Sequence, residues 1–206
     1  MQEPASVLFS VFNFMGHYQG HKKILASIPP HYTLRKYYIW LSYFGMVSWV
    51  ASTIFHTRDF TATEQADYFA AGASVLYGLY YTPIRVFRLD KGGPRTESFL
   101  RIWTTTCILM FVAHVTYLKW YSWDYTYNMA ANVVVGCIQN AMWTYFSVKR
   151  YKESHRIWAA WPGIVVAWVI VAMSLELLDF PPIGGHLDAH ALWHLGTVFP
   201  TVLFYK

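Results

Sequence analysis

Seven apolar segments follow one another along this chain of 206 residues, and they restrict its possible folds more than any other feature. Each is near the ~20 residues that a helix needs to cross a bilayer. Only 13% of the residues are charged, against roughly 25% in a soluble domain. We therefore predict an all-α, polytopic membrane protein, a seven-transmembrane helix bundle with one domain over residues 1–206. The segments are approximately 5–21, 36–56, 64–88, 98–120, 126–148, 157–178 and 187–205.

The positions of the basic residues predict which side of the membrane each connection occupies. Of the 16 Lys and Arg residues, all but Arg58 and Lys119 lie beside the first, third and fifth connections or at the C-terminus. The positive-inside rule makes these regions cytoplasmic, which predicts a lumenal N-terminus and a cytoplasmic C-terminus. The net charge of +5 is thereby explained by topology, and nucleic-acid binding is not expected.

The last segment contains the pattern His-x-x-x-His. In a helix, His190 and His194 lie one turn apart on the same face. Two imidazoles at this spacing can bind one metal ion, as they do in helical zinc sites. The spacing alone also fits two interfacial histidines with other hydrogen-bond partners.

The predicted topology brings further polar residues to the depth of these histidines. The second segment ends, and the third and seventh segments begin, on the non-cytoplasmic side. Three imidazoles with an open fourth position are the ligand set of a catalytic zinc ion. A nearby carboxylate can transfer protons, and a hydroxyl can bond the attacking water or a developing oxyanion. The predicted set is His56, His190 and His194 as zinc ligands, with Asp67 and Ser52 as catalytic residues.

Other interpretations of these side chains remain open. Asp67 could pair with Arg58 at the interface, and Ser52 could be a small packing residue. Ser52 could also act as a covalent nucleophile, although attack by water is favoured. Asp188 could support a ligand histidine or cap the last helix, and His186 could compete as a ligand but ranks below His190.

Polar residues elsewhere in the apolar segments are interpreted as structural. Hydrogen bonds between helices are expected for His114, Asn13, Asn128, Asn132 and Asn140. His17 and His21 fall near the other end of the first helix, away from the zinc ligands. The aromatic residues around the fourth connection are typical of an interfacial belt.

Several strings in the chain resemble a known group of enzymes. Three patterns are similar to the motifs of the ceramidase-like transmembrane hydrolase superfamily, which includes alkaline ceramidases and adiponectin/progestin receptors. They are Ser-x-x-x-His in the second segment, an Asp near the start of the third segment and His-x-x-x-His in the seventh. The whole chain resembles more closely the Per1-like family. The strings that carry the resemblance are Gln2-Glu3-Pro4-Ala5-Ser6, Ser52-Thr53-Ile54-Phe55-His56-Thr57-Arg58-Asp59, Asp67-Tyr68-Phe69, Asp124-Tyr125-Thr126-Tyr127-Asn128, Ala131-Asn132-Val133, Leu175-Glu176-Leu177-Leu178-Asp179-Phe180-Pro181-Pro182 and Leu187-Asp188-Ala189-His190-Ala191-Leu192-Trp193-His194.

The resemblance implies a hydrolase of phospholipase A2 type that removes the sn-2 acyl chain from GPI-anchored proteins. It implies zinc on His56, His190 and His194, with Ser52 and Asp67 beside it. It also implies a multi-pass protein of the endoplasmic reticulum membrane or the Golgi membrane, with a lumenal site. Family members carry a signal peptide and a lumenal region before the first helix, and this chain begins at that helix. The alternatives are an amidase acting on ceramide, and a non-catalytic receptor or folding factor with structural zinc.

Overall fold

The computed structural model describes residues 3–178, 180–184 and 187–206, and these residues form seven α-helices. Within these ranges there is no strand, only an antiparallel bridge between Ile183 and Leu187. The prediction of an all-α protein is confirmed. The helices are α1 (Pro4–Ser27), α2 (Arg35–Thr57), α3 (Thr61–Val86), α4 (Pro94–Thr116), α5 (Tyr125–Ser154), α6 (Trp161–Leu178) and α7 (Ala189–Phe204).

Two helices are longer than the apolar segments from which they were predicted. α1 continues through its basic residues to Ser27, just before Pro29, and α5 continues to Ser154. Charged side chains do not end a helix, whereas backbone geometry does. α5 ends where His155 adopts a left-handed conformation with φ of 51°, a common helix stop. Apolarity thus located the helices but underestimated the length of these two.

Among the described residues, three helical segments are long and apolar enough, by length and composition, to cross a membrane. They are Arg35–Thr57, Pro94–Tyr121 and Ile157–Leu177. The second of them consists of α4 and the π-helical turn that follows it, Tyr117–Tyr121. The chain is therefore a membrane protein. The buried face of α1 carries Ser6, Ser10 and Asn13, and hydrogen bonds at these residues join α1 to other helices.

Six of the helices form a closed ring. α1 packs between α7 and α2, α3 packs on α2, α5 joins α3 to α6, and α6 packs on α7. α4 packs mainly on α3, outside this ring. The start of α1 meets the end of α2, because the backbone N–H of Glu3 donates to the carbonyl of His56 at 3.2 Å. One end of the ring therefore collects the beginnings of α1 and α7 and the end of α2.

Small residues and hydrogen bonds hold the opposite end of α1. The His17 ring lies where a side chain at Gly45 would stand, and its Nδ1 is 2.9 Å from the Tyr205 hydroxyl. His21 Nδ1 is 2.9 Å from the Ser42 hydroxyl. Close approach at glycine and interhelical hydrogen bonds are the usual means of packing helices in lipid. His17 and His21 thus join helices away from His190 and His194.

Candidate metal centre

Three histidines meet where α2 ends and α7 begins. His56 lies in the last turn of α2, and His190 and His194 lie in the first two turns of α7. One ring nitrogen from each lies within 4.8 Å of the other two, and the ring centroids are 4.4–5.1 Å apart. His56 and His194 are each only 4% exposed. These three side chains are close enough to hold one metal ion.

Carboxylates fix the proton positions on two of the three rings. His56 Nδ1 is 2.7 Å from Glu3 Oε2, and His190 Nδ1 is 2.7 Å from Glu176 Oε2. A carboxylate accepts, so each Nδ1 donates and each Nε2 of the neutral ring carries a lone pair. The His56 hydrogen bond also holds the pKa of the Glu3 carboxyl below its ordinary value.

The Nε2 atoms of His56 and His190 lie 3.3 Å apart. Two bare lone pairs at this distance repel, and a cation between them turns the repulsion into attraction. Nitrogens bound to one tetrahedral zinc at roughly 2.0–2.1 Å lie about 3.3 Å apart. The donor set, its tautomers and its spacing therefore fit zinc.

The third ring is held by α1 instead of by a carboxylate. His194 Nδ1 is 2.9 Å from Ser10 Oγ and 3.3 Å from the carbonyl oxygen of Ser6. The Asn13 side chain donates to the His194 carbonyl at 2.7 Å. Trp49 packs edge-on against the ring, with centroids 5.2 Å apart. Both the backbone and the side chain of His194 are therefore fixed.

Ser52 and Asp67 lie beside the histidines. Ser52 is buried one turn before His56. Asp67 is half-buried in the second turn of α3 and interacts electrostatically with His56 and His190. Its carboxylate makes no hydrogen bond or ion pair with a described residue, so it can accept a proton or a hydrogen bond from a ligand.

The structure distinguishes between several of the open interpretations. The Arg58 guanidinium lies over the Phe60 ring, 4.7 Å from its centroid, and does not pair with Asp67. Asp188 caps α7, because its Oδ1 accepts from the Ala191 N–H at 2.7 Å. Asn132 bonds Asn128 within α5, at 3.0 Å from its carbonyl, so its bond is not between helices. His186 and Asp179 lie outside the described residues.

Sequence reasoning missed Glu3, Ser6 and Ser10 as residues that support the ligands. The prediction that Asn13 bonds another helix is confirmed, since its side chain donates to the His194 carbonyl of α7. Glu176 bonds the His190 ring, a role that the sequence did not assign to it. A signal was present in the sequence. Ser6, Ser10 and Asn13 follow a spacing of four and three residues, which puts three polar side chains on one face of an apolar helix.

Glu176 and Asp188 give a matched pair for testing the support of His190. We expect Glu176→Gln to weaken zinc binding by about 10- to 100-fold, because the amide no longer fixes the ring as an anionic acceptor does. Asp188→Asn should leave zinc affinity near the wild-type value, since asparagine caps a helix about as well. Chelator competition on the purified proteins measures both. Equal affinities in wild type and Glu176→Gln would show that the carboxylate does not support the metal.

The fold and the cluster together define a class of protein: an all-helical membrane protein with a candidate three-histidine metal centre at one end of its helices. Comparison with known proteins identifies the group within that class. The Per1-like family matches residues 1–206, and the chain belongs to this family.

Relatives in fungi and animals support this assignment. The chain is 46% identical to "Protein PER1 homolog" of Schizosaccharomyces pombe over 198 residues, 96% of this chain and 59% of the relative. It is 35% identical to "GPI-specific phospholipase A2-like PGAP3" of Cricetulus griseus, over 100% of this chain and 62% of the relative. It is 38% identical to "Post-GPI attachment to proteins factor 3" of Drosophila melanogaster, over 100% of this chain and 61% of the relative. The chain thus spans about three fifths of the length of these relatives. No solved structure matches it.

Proposed function

We propose that this protein is a zinc-dependent membrane hydrolase that removes the sn-2 acyl chain from the lipid of GPI-anchored proteins. The observation that carries the proposal is the geometry of three imidazoles whose Nε2 atoms are free to bind a metal. The Asp67 carboxylate beside them, which makes no hydrogen bond or ion pair with a described residue, supplies a proton acceptor. The substrate follows from the relatives, whose names refer to a GPI-specific phospholipase A2-like protein and to a factor acting after GPI attachment.

The proposed topology puts this chemistry at a lipid interface. Seven spans with a lumenal N-terminus and a cytoplasmic C-terminus agree with the placement of the basic residues. The start of α7 and the end of α2 then lie at the lumenal surface, where ester groups of lipids meet water. We assign the protein to the membrane of the endoplasmic reticulum or the Golgi, with its site facing the lumen.

The proposed reaction assigns a role to each residue of the centre. His56, His190 and His194 would hold zinc, which when bound polarises a carbonyl oxygen and lowers the pKa of water. Asp67 accepts a proton from the water that adds to the ester carbonyl. The bond between that carbon and the glycerol oxygen then breaks, and Asp67 returns the proton to the glycerol oxygen. The products are a free fatty acid and a lyso-lipid that remains attached to the GPI-anchored protein.

The substrate is tested with two labelled lipids. The purified chain in lipid nanodiscs is given a GPI-anchored protein labelled in its sn-2 acyl chain and, separately, a ceramide labelled in its N-acyl chain. We expect labelled fatty acid from the GPI lipid and none from ceramide. Release from ceramide alone would identify an amidase. Zinc binding with no release from either lipid would favour a structural metal and contradict the proposed reaction.

A further inference from the structure

We propose that Ser10 of α1 is a positioning residue that orients the metal ligand His194 and sets the direction of the Ser52 hydroxyl. Ser10 belongs to neither ligand helix and is 0% exposed. Its hydroxyl lies within hydrogen-bond distance of three groups, namely His194 Nδ1, Ser52 Oγ and the Ser6 carbonyl. This inference rests on the metal centre of the proposed function.

The single hydrogen of the Ser10 hydroxyl has a defined acceptor. Ser10 Oγ is 2.7 Å from the carbonyl oxygen of Ser6, one turn earlier. A carbonyl oxygen can only accept, so Ser10 donates its hydrogen there. Its two lone pairs are left for its other neighbours, and both of those must donate to it.

The first donor is the His194 ring. Its Nδ1 is 2.9 Å from Ser10 Oγ and also 3.3 Å from the Ser6 carbonyl oxygen. Because neither oxygen has a hydrogen to offer, Nδ1 carries the proton and Nε2 carries the lone pair. Ser10 thereby does for His194 what Glu3 does for His56 and Glu176 does for His190. With Nδ1 protonated and Nε2 assigned to the metal, His194 has no nitrogen left to act as a base for Ser52.

The second donor is Ser52. Its Oγ lies 3.0 Å from Ser10 Oγ, and its only hydrogen is used in this bond. Ser52 therefore offers lone pairs to the centre, and it accepts a hydrogen bond from water or from a substrate hydroxyl. The sequence left two roles open for the Ser52 hydroxyl. Accepting a hydrogen bond from the attacking water is favoured over donating one to a developing oxyanion.

Zinc affinity tests this positioning without reference to catalysis. Chelator competition is measured on purified wild type, Ser10→Ala, Ser52→Ala and Ser42→Ala. We expect Ser10→Ala to weaken zinc binding by about 10- to 100-fold, the usual effect of losing a partner of a ligand histidine. Ser52→Ala should keep wild-type zinc affinity, because it removes only the bond that does not reach a ligand. Ser42 is the matched control, since it is equally buried and bonds His21 at 2.9 Å, away from the metal ligands.

Each outcome supports or overturns the inference. Equal zinc affinity in wild type and Ser10→Ala would overturn the role of Ser10 and leave the metal centre intact. An equal loss in Ser52→Ala would also overturn it, because the effect would then pass through Ser52. No zinc in wild type would overturn both the inference and the proposed function. If Ser10→Ala is not recovered folded, Ser10→Cys replaces the oxygen by a poor sulfur acceptor, and the same weakening is expected.

Discussion

Replacement of His190 by alanine is expected to lower the zinc content of the purified protein from one ion per chain to near zero. His190 supplies one of three imidazoles, and two of them cannot complete the ligand set of a catalytic zinc ion. Acyl release from the GPI lipid should fall by more than about 100-fold, since losing even a partner of a ligand costs 10- to 100-fold. Metal analysis and release of labelled fatty acid measure the two effects on one preparation.

The control for this experiment is a histidine far from the cluster. His31 is exposed in the connection between α1 and α2, so His31→Ala should keep both zinc and activity. A His190→Ala protein that retains one zinc ion and the wild-type rate would show that the three histidines do not form the centre. The mechanism built on them would then be wrong.

Asp67→Asn is expected to separate metal binding from chemistry. The amide cannot accept the proton that the carboxylate takes, so acyl release should fall by about 10²- to 10⁴-fold, the usual contribution of general acid–base catalysis. Zinc content should stay at the wild-type level, because Asp67 bonds none of the three histidines. Rate and metal content are measured together, with Glu97→Gln, an exposed acid in the first turn of α4, as the control.

The opposite result would favour a different protein. If Asp67→Asn released fatty acid at the wild-type rate, the carboxylate would have no part in the reaction. If it also kept its full biological activity while removal of zinc unfolded the chain, the metal would be structural. These outcomes separate an enzyme from a receptor or folding factor that shares the same arrangement of histidines.

The sequence predicted the helices and the candidate ligands because both follow from local patterns. Apolar runs located all seven helices, and counting helix ends brought His56 next to His190 and His194, as the structure has them. Helix ends were less predictable. The continuation of α5 to Ser154 depends on the backbone conformation of His155, which composition does not encode.

The support for the ligands could not be predicted in the same way. The Ser10–His194 bond joins residues 184 positions apart, and the partner of a buried serine depends on how two helices are rotated. Glu176 and Asp188 illustrate the limit. Both are acids near His190 in sequence, but only Glu176 bonds its ring, whereas Asp188 bonds a backbone N–H.

The contact between α1 and α7 has a consequence for biosynthesis. α1 leaves the ribosome before the other six helices and α7 leaves after them, yet the Ser10 and Asn13 side chains of α1 both bond His194 of α7. Until α7 has been synthesised, the polar face of α1 lacks its partner on α7, and polar groups left unsatisfied in an apolar environment are costly. A chain that ends before α7 therefore leaves Ser10 and Asn13 without their bonds to His194. Synthesis of α7 provides these bonds in the same step that brings His190 and His194 to His56.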